Sequence, residues 1–154
     1  MQTEDLVERV KLRVGRPAAT LLAVDDPTER RFIGELTFSA VVVYLLSHYL
    51  AGFVEGLGVK QLGQSHAKAT LKILRKLKVE VLEKLRKDTV EPRDIDIAAK
   101  HLHKAVRLPL TWRDNAEARA GAERVVIELL VTRGLIELEA RDIARAISEE
   151  VLER

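Results

Sequence analysis

From Leu36 to Val54 the chain runs nineteen residues without an Asp, Glu, Lys or Arg. A helix apolar all round has two homes, the hydrocarbon of a bilayer or the centre of a protein with neighbours on every side. Gly52-x-x-x-Gly56 suits the close approach of a second helix. Thr37, Tyr44, His48 and Glu55 fall at spacings of seven, four and seven, so they lie along one edge of that helix. This edge is costly in lipid and natural beside a loop or a subunit contact. The stretch therefore predicts the central helix of a bundle, with a masked membrane-inserting hairpin as the alternative.

The rest of the chain also reads as helical. Stretches rich in Ala, Leu, Val, Glu, Arg and Lys run without Asn-Gly or Asp-Gly hairpin turns. With 154 residues, 47% hydrophobic and 32% charged, the chain can bury a sizeable core. The expectation is an all-α bundle of about five to seven helices in one domain, with possible sub-units at 1–35, 36–104 and 105–154. A first helix is predicted over Glu4 to Val14, interrupted by Gly15-Arg16-Pro17, with another turn or two from Ala18 to Val24. Asp26-Pro27-Thr28-Glu29 has the cap, first-turn Pro and capping-box carboxylate of a helix start, and that helix is expected to run towards Gly56. Further helices are expected over Gln64–Lys87, from Pro92 to before Pro109, over Asn115–Arg133 and over Glu139–Leu152.

Charge is unevenly distributed. Lys60 to Lys87 holds nine Lys/Arg against two Glu, in a chain whose net charge is +2. On a helix, Ala67, Leu71, Leu74, Leu77, Val81, Leu82 and Leu85 share one face. Lys68, Lys72, Arg75, Lys76, Arg86 and Lys87 occupy the opposite sector, with Val79 and Glu83 among them. These six are the candidate contacts to a nucleic-acid backbone, bound through charge and without base specificity. No Phe, Tyr or Trp lies between Lys60 and Lys87, which disfavours single-strand recognition by stacking. The alternatives are a solvated face, or one paired with the last two helices, since Leu108 to Arg154 holds ten Asp/Glu against seven Arg.

Thr89-Val90-x-x-x-Asp94-Ile95-x-x-Ala98 resembles the end of a histone fold, where a long central helix passes through a strand-like loop into the last helix. The resemblance covers about Val41 to Lys104. It implies a DNA-binding dimer with a clamp between Asp94 and the basic residue seven positions earlier, here Lys87. Asp88 departs from the pattern, standing where Lys or Arg usually precedes the Thr. Glu91–Ala98 is echoed by Glu139–Ala146 at an offset of 48, a partial second unit over 115–152 that reflects either duplication or the common grammar of helix starts.

Sites of reaction chemistry are not apparent. His101-x-His103 splays its rings, and no His has a Glu three residues before it as di-iron bundles require. Gly56-Leu57-Gly58-Val59-Lys60-Gln61 lacks the spacing and Ser/Thr of a phosphate loop. Ser39, Ser47, Ser65 and Ser148 lie outside any Gly-x-Ser-x-Gly elbow. The expectation is a non-enzymatic interaction module with no catalytic residue, metal or cofactor. Its expected partners are double-stranded nucleic acid and further copies of itself. A protein-only adaptor and a membrane-active bundle are the alternatives. The absence of cysteine and of a basic-then-apolar leader in the first thirty residues point to the cytoplasm.

Overall fold

The apolar run forms one helix wrapped by others. A computed structural model describes residues 3–23, 34–57, 64–105 and 113–152. Among them are seven helices and no strand: α1 (Thr3–Val14), α2 (Arg16–Ala23), α3 (Glu35–Leu57), α4 (Gln64–Lys87), α5 (Pro92–Ala105), α6 (Ala116–Thr132) and α7 (Glu137–Leu152). The fold is an all-α bundle. Helix α3 packs most extensively against α6 and α4, and also touches α1, α2 and α5. Its Val41, Leu45, Leu46, Tyr49, Leu50 and Phe53 are almost wholly buried, in a core that also takes Val10, Leu74, Leu102, Val126 and Ile147 from its neighbours. It is the one described helix long and apolar enough to cross a membrane, and 89% of its most apolar window is covered by protein.

Backbones touch where α3 meets α6. A Cβ at Gly52 would lie 3.2 Å from the Ala122 Cα, and one at Gly56 would lie 2.9 Å from the Ala118 Cα. Glycine permits this approach because there is no side chain to hold the helices apart. Below the seam the Tyr49 hydroxyl shares a hydrogen bond with Ser148 Oγ at 2.7 Å. Ser148 Oγ also lies 2.8 Å from Glu123 Oε2, which accepts from Arg119 Nε at 3.1 Å. This network satisfies polar groups inside the bundle, where an unpaired one would be costly.

Gly15, at φ +80°, closes α1, and the second helix begins two residues earlier than expected, at Arg16. The start signal at Asp26–Glu29 lies outside the described residues, but the uninterrupted helix from there to Gly56 is not formed. Gly34 is non-helical and its carbonyl accepts the first bond of α3, from Phe38 N–H at 3.0 Å. Glycine is a poor helix interior residue and a tolerated cap, so the break falls there. The start is held by charge: Glu35 accepts from Lys11 Nζ at 2.7 Å and from the Arg16 guanidinium.

Helices α4 and α6 end alike. Asp88 (φ 54°) and Gly134 (φ 103°) turn left-handed, and the next residues bond back five positions, Thr89 to Lys84 and Leu135 to Leu130, both at 3.0 Å. The structural echo thus has an offset of 46. Glu139–Ala146 is not equivalent to Glu91–Ala98: Asp94 caps α5 by accepting from Glu91 N–H at 2.9 Å, whereas α7 starts at Glu137 and Asp142 sits 4.0 Å from Arg145. The Lys87–Asp94 clamp does not form either. Lys87 pairs with Glu83 at 2.7 Å, and Lys84 approaches Asp94 at 3.9 Å. The left-handed turn at Asp88 ends α4 with Lys84 and Lys87 both lining the cleft towards α5, and Lys84 is the one that approaches Asp94.

Candidate nucleic-acid interface

The apolar face of α4 meets α3 through Leu74, Leu77, Val81 and Leu85, so the opposite face must point away from the core. All six candidate cations are exposed. Lys68 and Lys72 make no ion pair among the described residues, and Lys76 approaches Glu80 only at 4.0 Å. These three follow one line at spacings of four. Arg75 leaves it to meet Glu55 on α3 at 2.8 Å, and the charge of Arg86 reaches Tyr44 on α3. Lys87 is tied to Glu83. The face is brought together at Lys68, Lys72 and Lys76, while the other three cations are shared with acidic or aromatic neighbours.

The C-terminal acid surplus serves a different partner. Arg9 donates to Glu150 at 2.7 Å, and Arg13 reaches Glu149 at 2.8 Å and Glu150 at 3.4 Å. The Arg13 guanidinium holds the Glu149 carboxyl below the usual carboxylate range. These pairs join α1 to α7. The alternative in which the basic helix is neutralised by the acidic helices of the same chain is not what the fold builds.

Three cations outside the predicted set lie on α5. Arg93, Lys100 and Lys104 are exposed and form no ion pair among the described residues. Their spacings of seven and four place them on one outward face, and that spacing was the sequence signal. It was obscured by Asp94 and Asp96, of which Asp94 is the helix cap. Between α4 and α5 lies a cleft of about 350 Å³, with Leu77, Val81, Val90, Ile95 and Ala98 and Ala40 of α3 among its apolar lining and Glu80, Glu83, Lys84, Lys87 and Asp94 as its charged lining.

Along the polar edge of α3, Tyr44 is buried, Thr37 and His48 are partly buried and Glu55 is exposed. His48 Nε2 lies 3.1 Å from the Tyr44 hydroxyl, with the two rings edge-on at 4.8 Å. Burial, with Lys78 adding to it, pushes the His48 imidazole down to about 4. It is neutral at physiological pH and belongs to the packing. No group of three or more His, Asp or Glu fit to hold a metal occurs among the described residues. No family model, curated protein or solved structure gives a significant match to the chain.

Proposed function

We propose that the chain is a non-enzymatic helical interaction module whose α4 surface binds a nucleic-acid backbone without sequence specificity, and that it acts as a homo-oligomer. The observation that carries the reading is the placement of charge. The acidic helix α7 is occupied by α1, while Lys68, Lys72 and Lys76 are left in line on the outside of α4. Flexible cations on a rigid helix neutralise phosphates and release counterions, and contacts made to phosphates carry no base readout.

Titration of a fluorescent 30-base-pair duplex by anisotropy at 50 and 200 mM salt tests it. Micromolar or tighter binding at the lower salt, weakened at least tenfold at the higher, is the expected result. The doubly reversed variant Lys68→Glu/Lys72→Glu should lose that binding and retain its helical circular dichroism. No binding at 50 mM salt, or binding indifferent to the reversal, overturns the proposal. A protein-only adaptor would then account for the surface, and self-association persisting in 0.5 M salt would support it. Burial of α3 within the bundle favours both over the membrane-active alternative.

A further inference from the structure

Resting on that reading, we infer that the interface is a two-helix surface: Arg93, Lys100 and Lys104 of α5 form a second row beside Lys68, Lys72 and Lys76 of α4, and the two rows take the two strands of a duplex. The helices are joined by four residues and fold back on one another. Lys84 meets Asp94 near the turn, while Leu77 and Val81 share the cleft with Ile97 and Ala98 farther from it. The helices are therefore roughly antiparallel: the cleft lies on the turn side of Lys76, beside Arg93, and Lys72 and Lys76 run alongside the far end of α5 that carries Lys100 and Lys104.

On each helix the cations lie opposite the buried residues, Leu74, Leu77, Val81 and Leu85 on α4 and Ala98, Leu102 and Ala105 on α5. Both rows consequently look away from the same core. Residues 64–105 contain eleven Lys/Arg against six Asp/Glu, a net charge of +5, and not one Phe, Tyr or Trp.

The dimensions suit a duplex. At about 1.5 Å per residue, Lys68 to Lys76 spans about 12 Å and Arg93 to Lys104 about 16 Å. Packed helices lie about 8–10 Å apart, so two outward rows stand at least that far from one another, the scale of a major groove about 12 Å wide. A single strand offers one line of phosphates and gains most from aromatic stacking, which this surface cannot supply. A duplex offers two lines at fixed separation, and the fold fixes the two rows in the same way.

Six phosphate contacts give a slope of log K against log salt of about −5, and each row accounts for about half. The test compares slopes, between 50 and 200 mM salt, for the full chain, Lys100→Gln/Lys104→Gln and Lys68→Gln/Lys72→Gln, on a 30-base-pair duplex and a 30-nucleotide single strand. Each double variant should reduce the duplex slope by about two. The full chain should prefer duplex over single strand by tenfold or more. If the α4 variant weakens duplex binding and the α5 variant does not, the two-row surface is wrong and the α4 reading stands. Equal affinity for duplex and single strand removes the two-strand geometry. A full chain that binds no duplex at 50 mM salt takes the underlying reading down as well. Polyglutamate bound as tightly as duplex reassigns the surface to acidic proteins and also overturns the inference.

Discussion

The same change, glycine to alanine, should have opposite signs on the two sides of the α3–α6 seam. In a helix, Ala is favoured over Gly by up to about 1 kcal/mol, so the default outcome is stabilisation. Gly121 follows the default: the nearest atom to a Cβ there is the Gly52 carbonyl oxygen at 3.9 Å, ordinary contact. Gly56→Ala instead places its methyl 2.9 Å from the Ala118 Cα. Carbon atoms prefer about 3.5–4.0 Å, so the helices must part by roughly 0.6 Å or more, and a backbone atom has no rotamer by which to retreat. Overpacking of this kind costs about 1–3 kcal/mol, which leaves a net destabilisation of about 0.5–2 kcal/mol after the helix gain. For a chain of this size that lowers Tm by about 2–6 °C, while Gly121→Ala raises it by about 2–3 °C. Thermal unfolding followed by circular dichroism, with urea titration as a second measure, separates the two. Gly56→Ala proving as stable as Gly121→Ala would show that the backbones are not in contact.

Stability should also fall as pH drops from about 6.5 to about 4, because His48 is neutral when folded and takes a proton in the unfolded chain. At this partly solvated site the loss is about 1–2 kcal/mol. His48→Gln should flatten that limb of the pH–Tm curve. Glu35, Glu83 and Glu149 have carboxyls held below 4.5 by cations, so their contributions begin to fade near pH 4.5 and overlap only the acid end of the His48 window. An unchanged limb in His48→Gln would assign it to another group. Tyr49→Phe, which removes the hydroxyl shared with Ser148, should cost about 1 kcal/mol in urea unfolding. A neutral outcome would mean that the hydrogen bond contributes nothing net.

Much of this architecture was legible in the chain. The uncharged run had to be central, and Gly52-x-x-x-Gly56 marked the close approach to α6. The 3.6-residue rhythm of Leu74, Leu77, Val81 and Leu85 divided α4 into a buried and a basic face. Long-range choices were not legible. Periodicity along α7 says that Glu149 and Glu150 need cations, but it does not distinguish Arg9 and Arg13, some 136–141 residues away, from the lysines of α4. Lys87 stood at the clamp spacing, yet it pairs with Glu83 within its own helix and Lys84 is the lysine that approaches Asp94. The row on α5 was readable by spacing, and was missed because one of its intervening acids is a cap.

The contact between α1 and α7 also bears on synthesis. Arg9 leaves the ribosome 141 residues ahead of Glu150. At about 5–20 residues per second, α1 waits roughly 7–30 s for the helix that completes its surroundings. Leu6, Val7, Val10 and Val14 are buried in the finished bundle and lack part of their cover during that interval. The nascent chain thus carries an amphipathic helix whose apolar side is incompletely shielded until α7 emerges. Chaperone engagement of the growing polypeptide should concentrate on that helix and on the apolar α3, then end when the last helix docks.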